Sequence, residues 1–213
     1  TTHGVCSRSQ QTIRSKHGRG NRIMEITNNY KETINLKQDT VLNYNIKSNS
    51  SARLFFCNYA GYITEININL DENSSCELYG FFRNNNNKNT NVITNVIHKG
   101  KKSKCNQDFR FVNKDSSSSF EGKITIPKDI SGCESHMLNK NLLLDDTSKA
   151  FSKPELDINN DDTICTHGST TGPIDEEQIF YIQSRGLSYE DSVNMLIEAF
   201  YQDIKSKMEG AVA

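Results

Sequence analysis

The residues best suited to chemistry lie in one short segment, Ile164-Cys-Thr-His-Gly168. If that segment is extended, Cys165 and His167 project from the same face, because side chains alternate along a strand. A thiolate beside an imidazole is a soft, partial metal site, suited to iron, an iron–sulfur group or zinc. Two ligands do not fill a coordination sphere, so a second subunit would have to supply the rest. Plain packing for Cys165 and an edge hydrogen bond for His167 remain an open alternative, since single C-x-H triplets arise by chance. A Cys–His nucleophilic dyad is disfavoured. The base must lie within ~3 Å of the sulfur, and neighbours on one strand face rarely approach that closely.

The remaining candidates are weaker. His98 ends the apolar run Val96-Ile-His98 and His136 sits in Ser-His-Met, so both read as structural side chains; His3 and His17 belong to a basic N-terminal stretch. The other cysteines, Cys6, Cys57, Cys76, Cys105 and Cys133, form no C-x-x-C pair with each other or with Cys165. Structural zinc therefore has no spacing support. Together with the lack of an apolar leader, this points to a reduced, intracellular compartment with thiols mostly buried as small hydrophobes. The cluster Lys99, Lys101, Lys102 and Lys104 reads as a solvated turn.

The elements that position these residues follow from composition and periodicity. The 213 residues are 34% hydrophobic and 24% charged, with net charge −1 and mean hydropathy −0.67. No run approaches the ~20 apolar residues of a membrane span, and bulk charge gives no case for nucleic acid. A low apolar share, with much asparagine, argues for a thin or repetitive architecture. Alternation at Leu42–Ile46 and Ile66–Leu70, with runs at Arg53–Cys57, Cys76–Phe82, Asn91–His98, Phe109–Val112 and Phe120–Ile126, predicts many short strands. Leu156 and Ile158 alternate with Glu155 and Asp157 in the same way. Breakers fall at 71–74, 84–91, 99–100 and 114–119. A sandwich and a β-solenoid fit equally well, because no repeat of fixed length is visible.

After Gly172 the period changes to that of helices. Pro173 is expected at the first helical position, followed by Asp175, Glu176 and Glu177, with a stop at Gly186. Ser188 and Asp191 resemble a capping box for a second helix. On it Val193, Leu196, Ile197, Phe200 and Ile204 form one apolar stripe, which must dock on the β body or on another protein. The expected organisation is a disordered basic tail over 1–24, a β body over 25–170 and a helical region over 171–213.

Several segments together resemble the SufB/SufD family of iron–sulfur cluster assembly proteins. They are Asn139 to Leu144, Lys153-Pro-Glu-Leu-Asp157, Asp161-Asp162, Cys165-Thr-His-Gly168 and Asp175 to Gly186, in order over about 50 residues. Within the family the pattern is similar to the SufD type. The SufB type carries a cluster-forming cysteine on the strand occupied here by Leu156, Asp157 and Ile158, and this chain has none there. The resemblance implies a right-handed parallel β-helix with a C-terminal helical hairpin, and a non-catalytic scaffold role. It implies pairing with a SufB-like subunit, or a homodimer, and a transient iron–sulfur cluster shared at that interface. His167, with Cys165 beside it, would then face the SufB-like cysteine as a transient metal contact. It also implies docking of a SufC-like ATPase on residues 174 to 205, through Phe180, Tyr181, Val193, Leu196, Ile197 and Phe200. No Walker A pattern occurs in the chain, so the nucleotide site would be the partner's. The implied compartment is a bacterial cytoplasm or a plastid or apicoplast stroma.

The departures are an absent N-terminal helical region, a short β body, Asn159-Asn160 in place of an aromatic–small pair, and Pro173 in place of a polar residue. They lead to the expectation of a fragment, a reduced form from a small AT-rich genome, or a nuclear-encoded organelle protein. A carbohydrate-binding or carbohydrate-active solenoid using Asp157, Asp161 and Asp162 is the competing reading.

Overall fold

The computed structural model describes residues 16–18, 21–58 and 61–209. Among them the strands are β1 (Lys16–Gly18), β2 (Asn21–Ile26), β3 (Tyr30–Asn35), β4 (Thr40–Ile46), β5 (Ser51–Asn58), β6 (Ile63–Leu70) and β7 (Ser75–Asn85). They continue with β8 (Thr90–His98), β9 (Lys104–Lys114), β10 (Ser117–Ile126), β11 (Cys133–Leu143), β12 (Lys149–Ile158) and β13 (Thr163–Pro173). Two helices follow, α1 (Glu176–Gln183) and α2 (Tyr189–Glu209).

From β2 onward, even-numbered strands stack in parallel in one sheet and odd-numbered strands in a second. Strand β1 adds antiparallel to β2. Consecutive strands therefore lie in opposite sheets, and each even–odd pair is one coil. This is a β-solenoid rather than a sandwich of hairpins, with a helical pair at its C-terminal end.

The coils differ in length, which hides the repeat in the sequence. Stacked residues are separated by 24 positions for Asn43 and Asn67, 28 for Asn67 and Asn95, and 30 for Phe109 and Asn139. Lys123 and Glu155 stand 32 apart. The extra residues enter at the turns, so the ladders keep register while the period drifts.

Inside the coils every second side chain is buried, as in the alternating patterns of β6, β8 and β10. Aromatic rings fill the wider part: Phe82 stacks on Phe111 at 4.9 Å and Phe109 on Phe120 at 5.1 Å. Gly80 is in register with Phe109, and a Cβ there would lie 2.3 Å from the Phe109 ring, so glycine makes room for it. Each fully buried ring contributes ~1.5–3 kcal/mol. In the first coil the inward face instead carries an ion pair, Arg22 to Glu32 at 2.8 Å.

Asparagine serves three purposes. Asn43, Asn67 and Asn95 form a hydrogen-bonded ladder, and Asn45 and Asn69 a second one. Asn49, Asn73, Asn86 and Asn87 sit at positive φ in turns, a region asparagine tolerates better than most residues. Asn84 points inward, 1% exposed, and bonds Asn113 at 2.9 Å and Thr90 at 2.5 Å.

The helices begin and end for local reasons. Asp175, not Pro173, caps α1: its side chain accepts from the N–H groups of Glu177 and Gln178, while Pro173 ends β13. Gly186 at φ 96° makes the turn out of α1, and Ser188 Oγ accepts from Asp191 N–H at the start of α2. Helix α2 lies obliquely over the outer face of the odd-numbered sheet. Ile197 packs on Phe81 and Val112, and Ile204 on Phe55 and Tyr79. At its far end Lys31 of β3 donates to the Met208 carbonyl at 2.6 Å. Arg110 of β9 ties the middle, bonding Asp108 beside it and Asp203 on the helix. The stripe on α2 thus docks on the chain's own sheet.

Strands β1 and β2 begin within the segment expected to be a tail, and the β body continues through Pro173. Residues 1–15 lie outside the described residues. No described helix is long and apolar enough to cross a membrane.

Candidate functional site

The candidate site is the last coil, formed by β12 and β13. Each strand ends its sheet and is paired on one side only, β12 with β10 and β13 with β11. The hydrogen bonds flanking the ladders fix which residues face the open side. Lys149 and Asn159 donate to β10-side carbonyls, so odd-numbered residues of β12 serve the ladder and even-numbered ones face away. Pro154, which has no N–H, occupies one of the outward-facing positions and leaves no ladder bond unmade. On β13 the donation from Ile174 to the Leu143 carbonyl assigns even-numbered residues to the ladder. The backbone N–H and C=O groups of Cys165 and His167 therefore face the open edge.

Their side chains share a face, as the alternation requires. Cys165 is in register with Ser135 and His167 with Met137, both buried and inward-facing on β11. With no further coil above them, Cys165 is half-buried against the core and His167 is exposed. Burial is the main influence on the Cys165 thiol and raises its pKa, with hydrogen bonds from Thr163 and Ser135 opposing it. The two Cα atoms stand about 6–7 Å apart, the spacing of alternate strand residues. They present a sulfur and an imidazole side by side to whatever covers the coil. Among the described residues no group of three or more His, Cys, Asp or Glu side chains is placed to hold a metal ion.

The rest of the inward row is uncharged: Ala150, Ser152, Pro154, Leu156 and Ile158 on β12, and Thr163, Ser169 and Thr171 on β13. On the outer faces Phe151 and Ile164 are 61% and 62% exposed. The carboxylates Asp161 and Asp162 lie in the turn before β13, both exposed.

The helical residues divide into two groups. Phe180 and Tyr181 on α1 are 74% and 60% exposed. Val193, Ile197 and Phe200 join the cluster that holds α2 on the sheet, and Leu196 is half-buried. Cys76, Cys105 and Cys133 are buried thiols and Cys57 is half-buried, as small apolar residues would be; Cys6 lies outside the described residues. His98 is fully buried and bonds Ser103 Oγ at 2.7 Å.

Sequence reasoning missed one group of residues. His136, which reads as an isolated structural histidine, bonds Thr166 Oγ1 at 2.7 Å and Glu134 at 3.1 Å. The signal was the pairing of residues 30 apart across coils, which only the register reveals.

A parallel solenoid that ends in a coil paired on one side only, with an uncharged inward row, and that carries its last helix strapped along one sheet, defines the class of β-helical proteins with a C-terminal helical pair. The comparisons specify which. Residues 15–200 match the family model described as SUF system FeS cluster assembly, SufBD core domain, and the chain belongs to that family. It is 40% identical over 85 residues to the iron–sulfur cluster assembly protein SufD of Escherichia coli, covering 40% of this chain and 20% of that protein. It is 36% identical over 85 residues to the SufBD family protein slr0076 of Synechocystis, covering 40% and 19%. A third relative, the SufBD family protein ycf24 of Galdieria sulphuraria, is 24% identical over 137 residues, covering 64% and 62%. The chain is thus SufD-like and spans about a fifth of the length of the first two relatives.

Proposed function

We propose that this chain is a scaffold subunit whose last coil pairs with a SufB-like subunit, so that an iron–sulfur cluster is assembled at the junction as cargo. The uncovered coil carries this reading. Its two edges offer free backbone donors and acceptors, and in this reading Cys165 and His167 on its inward face meet a second chain's ligands. Strand addition at such edges is a recognised mode of association. His167 is the more accessible ligand, and Cys165 is an auxiliary whose thiol must lose its proton to bind. The chain's own part is to position these groups and exclude water.

In this reading the helical pair receives a SufC-like ATPase. Phe180 and Tyr181 are the exposed anchors, while Val193, Ile197 and Phe200 hold α2 in place beneath them. Leu196, half-buried on α2, belongs to the docking face in this reading.

Co-expression with SufB-like and SufC-like subunits tests both parts. Iron and acid-labile sulfide are measured on the purified complex. His167→Ala is expected to lower cluster content at least severalfold with the complex intact, and unchanged loading removes that residue's role. Phe180→Asp with Tyr181→Asp is expected to lose the ATPase while the melting temperature is unchanged. Retained ATPase argues against docking on α1.

A further inference from the structure

The Cys165/His167 face belongs to an edge strand, supported by hydrogen bonding on one side and by a core it only half completes. What holds that strand to the body on its outer face is a chain of polar contacts through three coils. Thr166, the residue between Cys165 and His167, is in register with His136 on β11, and its Oγ1 lies 2.7 Å from His136 Nδ1. His136 Nε2 is 3.1 Å from Glu134 Oε1, and Glu134 Oε2 accepts from Lys104 Nζ on β9 at 2.8 Å.

For a neutral His136 ring the donors and acceptors leave one consistent arrangement. Lys104 first, then His136, hold the Glu134 carboxyl below its ordinary pKa, so it is a carboxylate and accepts only. A neutral ring facing that carboxylate carries its proton on Nε2 and donates to Glu134. Its Nδ1 lone pair is left to accept from the Thr166 hydroxyl. Glu134 fixes the ring and its tautomer, as an orienting carboxylate does for a catalytic or metal-bound histidine.

We propose that His136 is a positioning residue: by accepting the Thr166 hydroxyl it pins β13 between Cys165 and His167 and so sets the presentation of those two side chains on the opposite face. The assignment deepens the scaffold reading and rests on it for its purpose, since a cluster ligand on a fraying edge strand would be displaced from its partner. Its physical content, local order of β13, is measurable on the chain alone.

The experiment uses the full chain, with His136→Ala and Thr166→Val. Valine removes the hydroxyl and keeps a strand-forming, β-branched side chain. Amide hydrogen exchange is followed across β9, β11 and β13, and alkylation of Cys165 by iodoacetamide is followed by peptide mass mapping. Opening of the edge strand exposes the half-buried thiol and the ladder amides together. Either variant is expected to raise β13 exchange and Cys165 alkylation on the order of fivefold to tenfold, the effect of losing one hydrogen bond. Exchange in β9 and the melting temperature should be unchanged, and the double variant should add nothing further.

Wild-type rates in His136→Ala overturn the proposal. So does a response to His136→Ala without one to Thr166→Val, because the hydrogen bond would then not be the carrier. A uniform rise in exchange across all three strands, with a lower melting temperature, also overturns it by making His136 a general structural residue. Co-purification of the unmodified chain with a SufB-like subunit tests the pairing reading separately.

Discussion

Replacing Arg110 by methionine should be among the most damaging single changes in the solenoid, although the residue lies outside its core. The guanidinium is 4% exposed beneath α2, the Asp108 side chain is 10% exposed and that of Asp203 is 57% exposed. It bonds Asp108 at 2.7 and 3.0 Å and Asp203 at 2.5 Å through two nitrogens, donates to the Phe200 carbonyl, and lies over the Phe200 ring. Methionine fills most of the space but leaves Asp108 as a buried, unpaired charge, which costs about 3–5 kcal/mol. Asp203→Asn removes only the exposed partner and should cost less than about 1 kcal/mol. For a chain of this size the first change corresponds to a melting point lower by roughly 10 °C, and the second to no more than about 4 °C. Adding Asp108→Asn to Arg110→Met should recover part of the loss, because the orphaned charge is gone. Far-UV circular dichroism melts of the four proteins decide the matter. Equal effects of Arg110→Met and Asp203→Asn would falsify the claim that burial, rather than the ion pair itself, sets the cost.

Two further predictions concern the interior. Burial lowers the His98 pKa to about 4, so the folded state keeps it neutral while the unfolded chain protonates near 6.5. Stability is fully present above pH 6.5 and declines as the pH falls toward 4, by about 2 kcal/mol on reaching pH 5. His98→Leu should flatten this part of the pH–stability curve, and equal slopes in the two proteins would count against it. Gly80→Ala places a Cβ 2.3 Å from the Phe109 ring and should destabilise by about 1–3 kcal/mol in chemical denaturation. A neutral result would mean that the ring has room to move.

The sequence was legible where polarity and direction agreed. In β4 and β6 inward residues are mostly aliphatic or aromatic and outward ones mostly polar, so alternation alone marks the strands. In β11 the inward row includes Ser135, Asn139 and Asn141, and the period disappears. Those asparagines are tolerated inside because each is bonded: Asn139 to the Phe109 carbonyl, and Asn141 to Asn139, the Thr170 carbonyl and Thr171. Strand β2 was hidden by its basic neighbours, and β3 by alternation with charged residues. At the site, the shared face of Cys165 and His167 followed from spacing, while the open edge and the His136 contact required the stacking order. Pro173 misled because it suits a helix start as well as a strand end, and Asp175 supplied the side-chain acceptor that decided the matter.

The ion pair inside the first coil makes the stack directional. A solenoid with two open, apolar ends can add copies of itself head to tail without limit, since such contacts are heterologous and do not close. Here any chain that extended the stack at the N-terminal end would have to seal Arg22 and Glu32 away from water, with one Glu32 oxygen already lacking a partner. The last coil carries no such penalty. The two ends of the described stack are therefore unlike: a chain laid on the first coil meets a charge pair, and one laid on the last meets an uncharged row of side chains.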